Sequence, residues 1–180
     1  MTRATHITIA CWLLLFVTAA CSKPAQNSAG ESATAPAVSP TTQRITSESV
    51  VKVEAQPVEI PAGGSAEATV RVTIQSGYHI NANPPTYPYL KATELEITPA
   101  PGLSVGPVSY PKPFDKKFAF AEKPLRVYEG ETEIKATLKT EKSAPPGQQS
   151  ISGRLRIQAC DDQVCYPPGK LELAIPVNIK

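Results

Sequence analysis

The residues best suited to chemistry are Cys160 and Cys165. Four residues separate them, Asp161-Asp162-Gln163-Val164, and Tyr166-Pro167-Pro168 follows. Two thiols at this spacing can close a disulfide, exchange it with another thiol, or ligate a soft metal. The choice depends on the compartment, and the N-terminus bears on that.

Arg3 is the one strong charge before Lys23. An apolar run of about 14 residues follows it, where a spanning helix needs roughly 20. Residues 1–20 therefore read as an export signal, and no other stretch reaches spanning length. Val17-Thr18-Ala19-Ala20-Cys21 resembles a bacterial lipobox, with Thr18 where Leu is usual. That resemblance implies a lipidated N-terminus at Cys21; the alternative is ordinary cleavage after Ala20. Ser22, in place of Asp, favours the outer over the inner membrane. Residues 21–46, rich in Ala, Ser, Thr and Pro, read as a disordered tether. The domain then faces the periplasm from a lipid anchor.

On the lipobox reading, Cys11 leaves with the signal and Cys21 is acylated. Cys160 and Cys165 remain, in a compartment that permits disulfides. A loop of about six residues gains only about 2.2 kcal/mol in the chain-entropy model, against about 4.7 for a 100-residue loop. A local staple is therefore weakly motivated, yet the residues alone leave staple and redox couple even. A metal site is the third possibility. It is poorly supplied, since the mature chain has one histidine, His79, and no methionine. No metal and no organic cofactor are expected.

Around the cysteines the pattern is period two. Val51, Val53 and Ala55 alternate with polar residues, as do Ala66 to Ile74 and Ile134 to Leu138. Leu95 and Ile97 form a short run. Ile151, Leu155 and Ile157 lead to Cys160, and Leu171 to Ile179 alternate to the end. With 19 prolines and no sustained helical period, this predicts one all-β domain over 47–180. The expected fold is an immunoglobulin-like antiparallel sandwich. Two stretches, 76–85 and 110–124, read as irregular loops carried on it. The net charge, 18 − 16 = +2, excludes the basic field of a dedicated nucleic-acid binder.

Gln158-Ala159-Cys160-Asp161-Asp162-Gln163-Val164-Cys165-Tyr166-Pro167-Pro168 resembles the active-site segment of the N-terminal periplasmic domain of DsbD, the thiol:disulfide interchange protein. Gly77-Tyr78-His79-Ile80-Asn81-Ala82-Asn83-Pro84-Pro85 agrees in order and spacing. So does the segment from Tyr110-Pro111-Lys112-Pro113 to Tyr128-Glu129-Gly130. The resemblance implies that Cys160 and Cys165 are a redox-active pair, with Cys165 forming mixed disulfides. It implies thioredoxin-like or disulfide-isomerase-like protein partners. It also implies an aromatic cap, for which Phe118 and Phe120 are candidates; the alternative is that both fill the core. His79 and Asn81 fall where family residues border the site, or serve only as surface-loop residues.

The local residues agree with these roles. Asp161 and Asp162 disfavour a thiolate at Cys160, while Val164 and Tyr166 flank Cys165 without such repulsion. Simple turn chemistry also explains the aspartates. Lys112, Lys116, Lys117, Lys123 and Arg126 make the second loop basic, suited to an acidic partner or merely solvated. The full transporter has a membrane domain and a thioredoxin-like domain that this sequence lacks. The expectation is a monomeric, lipid-anchored exchange protein fed by a separate membrane electron donor. The alternative is a lipoprotein binding module with a structural disulfide.

Overall fold

Alternating apolar residues dictate strands with one buried face, and long strands must pair to satisfy their backbone. A computed structural model describes residues 44–180. The signal, Cys21 and all but the last residues of the tether lie outside them. A 3-10 turn, Glu48–Val50, precedes twelve strands. They are β1 Val51–Ala55, β2 Val58–Ile60, β3 Ser65–Ile74, β4 His79–Asn81, β5 Glu94–Ile97 and β6 Leu103–Ser109. Then come β7 Phe114–Lys116, β8 Leu125–Tyr128, β9 Glu131–Thr140, β10 Gly147–Ile157, β11 Ala159–Cys160 and β12 Gly169–Ile179.

Two four-stranded sheets form a sandwich, ordered β1-β3-β9-β6 and β2-β12-β10-β5. All pairs are antiparallel except β2 with β12, which is parallel. The inward residues of the two sheets meet in the core. Val70, Val72, Ile74, Ile134 and Ala136 from one pack with Leu95, Leu155 and Ile157 from the other. A second cluster at the other end joins Ala68 and Leu138 to Ile151, Ile175 and Val177.

The two expected loops are not irregular throughout. They contain β4, β7 and part of the approach to β8, which join β11 in a third sheet ordered β11-β4-β8-β7. Three-residue strands carry too few alternations to show a period, so the sequence pattern missed them. Gly130, at φ 62°, turns the chain from β8 into β9 and so links this sheet to the sandwich.

The third sheet positions the cysteines. β10 pairs with β12 as far as Ile157 opposite Gly169, and residues 158–168 leave that hairpin as an excursion. Within it, β11 changes sheets: Ala159 pairs with Ile80 and Cys160 with His79. Because strand side chains alternate, the two faces of this sheet separate cleanly. Ala159, Ile80 and Tyr128 point into the sandwich core. Cys160, His79, Asn81, Leu125 and Val127 take the opposite face. That face is covered by Phe118, Tyr87, Leu90 and Ala121, which pack on Leu125 and Val127.

Candidate redox site

Cys160 and Cys165 are joined by a disulfide. Their turn is built by backbone and aspartate. The Tyr166 N–H donates to the Ala159 carbonyl at 2.8 Å, and the Asp161 N–H to that of Val164 at 3.0 Å. Asp161 Oδ1 accepts from the Gln163 and Val164 N–H groups at 2.7 and 2.8 Å. The Tyr166 hydroxyl donates to Asp161 Oδ2. That bond, with the two backbone donors, holds the Asp161 carboxyl below its ordinary range. The same bond pushes the Tyr166 phenol up to about 12. Asp161 is thus a turn-building residue whose charge is spent largely on the turn. Asp162 is exposed and lies 3.5 Å from Lys116 Nζ.

Hydrogen bonds from distant segments hold the base of the excursion. Ser47 Oγ donates to the Pro167 carbonyl at 2.7 Å and accepts from the Ala159 N–H at 3.0 Å. Gln158 Oε1 accepts from Asn81 Nδ2 and from the Lys91 N–H, and Gln158 Nε2 donates to the Tyr166 carbonyl. Asn81 Nδ2 also reaches the Lys91 carbonyl at 3.2 Å. Sequence reasoning singled out neither Ser47 nor Gln158 as a site residue. Ser47 lies more than 100 residues of chain before its partners Ala159 and Pro167, and no local pattern marks it. Gln158 directly precedes Ala159-Cys160, a position that hinted at a role without defining one.

His79 and Asn81 are fully buried strand residues, not surface-loop residues. The His79 ring stacks on Phe118, with centroids 4.2 Å apart. Phe118 in turn stacks on Phe120 at 5.3 Å. The three rings make a column running from beside Cys160 to solvent. Phe118 is buried and belongs to the cluster with Leu125 and Val127, whereas Phe120 is 44% exposed. Burial, then the Lys116 charge, pushes the His79 imidazole down to about 4, so it is neutral near pH 7.

The basic loop is partly self-satisfied. Lys116 Nζ sits 2.6 Å from Glu129, as well as near Asp162, and 5.3 Å from the Phe118 centroid. Lys117 Nζ donates to the Glu122 carbonyl at 2.9 Å. The Tyr87 hydroxyl accepts from the Lys123 N–H, tying the loop to residues 84–92.

The two sulfur-bearing residues differ in access. Cys160 is fully buried, and Cys165 is only partly so. Cys165 lines a cleft of about 450 Å³ with Tyr89, Leu90, Phe120, Gln158 and Val164. Tyr89 and Val164 are 70% and 50% exposed, so the rim is apolar and open. Tyr89 and Val164 were not among the expected site residues; exposed apolar side chains are common enough that sequence alone does not single them out.

The model of the N-terminal region of the thiol:disulfide interchange protein DsbD matches residues 46–175. The chain belongs to this family. Family membership implies a thiol:disulfide interchange role, and Cys160–Cys165 lies within the matched region. Among solved structures, the N-terminal periplasmic domain of ScsB from Proteus mirabilis matches with a TM-score of 0.51 and 19% identity. The match covers 70% of this chain and 46% of that one, so this chain spans less than half of that relative. It supports the immunoglobulin-like β fold. A PapD-like domain of human CEP192 aligns over 79% of this chain and 95% of its own, at 13% identity and a TM-score of 0.34. No curated protein matches the chain. No helix among the described residues is long and apolar enough to cross a membrane.

Proposed function

We propose that this protein is a lipid-anchored, periplasm-facing exchange protein that passes electrons between protein partners through Cys160–Cys165. The observation that carries the reading is the asymmetry of the pair: Cys160 is buried and Cys165 opens on a cleft. Thiol exchange needs one sulfur within reach of an incoming thiolate and a second held ready to resolve the mixed disulfide.

A partner dithiol supplies two electrons. One partner thiolate attacks Cys165 Sγ, the Cys160–Cys165 bond breaks, and Cys160 leaves as a thiolate. The second partner thiolate then attacks the partner sulfur of the mixed disulfide and releases Cys165. The partner ends as a disulfide, the pair as two thiols, and two protons move from partner sulfurs to Cys160 and Cys165. The reverse sequence reduces a partner disulfide. No organic cofactor takes part. Phe120, on the rim and stacked over Phe118, serves as the cap that limits access by small oxidants. The partners are thioredoxin-like or disulfide-isomerase-like proteins, with a separate membrane protein as electron donor. Cys21 provides the lipid anchor, and the outer membrane is the favoured location. The protein acts as a monomer.

The test is the reduction potential of the pair, equilibrated in thiol redox buffers and read by alkylation. A value between about −120 and −270 mV, the range of dedicated exchange proteins, is expected. A value below about −300 mV would assign the bridge to structure and the protein to a binding role.

A further inference from the structure

His79 is buried with no hydrogen-bond partner for either ring nitrogen among the described residues. Such an arrangement is uncommon, because buried polar groups are nearly always paired. A neutral imidazole carries one N–H donor and one acceptor nitrogen. Phe118 covers one face of the ring and offers neither group a conventional partner. The neighbour across the strand pair is Cys160, in register with His79 in the β11–β4 ladder. Directly opposed residues of an antiparallel pair place their side chains on one face, with Cβ atoms about 5 Å apart.

In the oxidised protein, Cys160 Sγ is bonded to Cys165 Sγ and carries no hydrogen. Reduction changes what it offers. A thiolate is a strong acceptor, and a thiol adds a weak donor. The Cys160 sulfur is also the group that must bear negative charge inside the fold when Cys165 is attacked. Asp161 and Asp162 stand nearby and oppose that charge, while Lys116 is engaged by Glu129 and Asp162. Asn81 Oδ1 on the same face is also unpartnered but can only accept, so the imidazole in register with Cys160 supplies the uncommitted donor.

We propose that His79 selectively stabilises the reduced state, its ring nitrogen hydrogen-bonding the Cys160 sulfur once the Cys160–Cys165 bond opens. An N–H donates to the departing thiolate. After protonation from the partner thiol, the Cys160 sulfur still accepts, more weakly, from the same N–H. The buried histidine is thereby unpaired in one redox state and paired in the other. Its free energy enters the redox equilibrium rather than stability alone. This makes the disulfide easier to reduce than the same bridge beside an apolar residue.

The inference deepens the exchange reading but is tested separately from it. The wild-type potential tests that reading; the difference between wild type and a His79 variant tests this one, even for a structural bridge. The variants are His79→Leu, which removes both nitrogens, and His79→Gln, which keeps a donor and an acceptor. Potentials are measured on the full chain against a reference dithiol. His79→Leu is expected to shift the thiol–disulfide equilibrium about tenfold towards the disulfide, equivalent to about 30 mV more negative. His79→Gln is expected to stay within about threefold of wild type. Thermal unfolding of both redox forms gives a second readout. His79→Leu should raise the Tm of the oxidised form relative to that of the reduced form. Equal changes in the two forms, an unchanged potential, or a shift towards easier reduction would overturn the proposal. Should His79→Leu not fold, His79→Met and His79→Phe, which also lack both ring nitrogens, take its place: a shift towards the disulfide supports the proposal, and a wild-type potential refutes it.

Discussion

Cys160 is fully buried on the edge strand β11, while Cys165, its disulfide partner, borders an open cleft. The asymmetry follows from strand alternation at one end and turn geometry at the other. Cys160 is a buried strand residue opposite His79, whose ring is covered by Phe118. Cys165 lies past the Asp161 turn, where the chain returns along its own path.

The two cysteines should therefore behave differently when separated. Cys160→Ser leaves an accessible thiol with no resolving partner. It is expected to accumulate discrete mixed disulfides, visible on non-reducing gels and lost with reductant. Cys165→Ser leaves a buried thiol and should trap about tenfold less. Equal trapping by both variants would remove the assignment of Cys165 as the exchanging sulfur.

The stacked rings divide cap from core. Phe118→Ala empties a buried site and should cost about 3 kcal/mol or more, read from denaturant unfolding. Phe120→Ala removes an exposed ring and should cost under about 1 kcal/mol. Its effect should instead be kinetic, with reduction by a small dithiol accelerated several-fold. An unchanged rate would mean that Phe120 does not gate the sulfur.

Asp161 tests the turn. Its carboxylate accepts from two backbone N–H groups and from Tyr166. Asp161→Ala leaves these donors to solvent and should lower stability by about 1–2 kcal/mol. Tyr166→Phe removes one donor only and should cost less. In the wild type, ultraviolet titration should show one phenol ionising near 12, which returns towards 10 in Asp161→Ala.

Acid should weaken the fold through His79. Its folded value is about 4, below the unfolded value of 6.5. Between these values the unfolded chain binds more protons, so stability rises with pH and falls as pH drops. The loss begins near pH 6.5 and levels off below about 4. A difference of about 2.5 units corresponds to about 3 kcal/mol. Lys116, Glu129, Asp161 and Asp162 surround the ring and modulate the size of the effect. The Asp161 carboxyl, with its lowered value, adds a loss in the same direction at lower pH. Denaturant unfolding at pH 7, 5.5 and 4 should show the decline, and His79→Leu should flatten the part above pH 4.

The all-β class was legible because each long strand alternates over enough residues to declare a buried face. β3, β9, β10 and β12 are all of this kind. The cysteine pair was legible too, through its spacing and its neighbours Gln158 to Pro168. Turn chemistry at Asp161 was one of two open readings, and it was open to sequence because a side chain that bonds its own following backbone is a local event. The third sheet was not legible. β4, β7 and β11 span two or three residues each, and their pairing is set by partners as far as 81 positions away, as with Cys160 and His79. Nothing local distinguishes a buried His79 from a surface one. Its environment comes from Cys160 on one side and Phe118 on the other, and both arrive only when the chain has folded.

The division between Phe118 and Phe120 has the same origin. Two phenylalanines two residues apart look alike in sequence, and only the position of Leu125 and Val127 beneath the loop buries the first and leaves the second at the rim. Which atoms can react is written in the residue types, because sulfur chemistry resides in the cysteine side chains. The tertiary structure alone decided which sulfur is reachable and which polar group waits beside the other, because burial and unpaired hydrogen-bonding groups are properties of long-range packing.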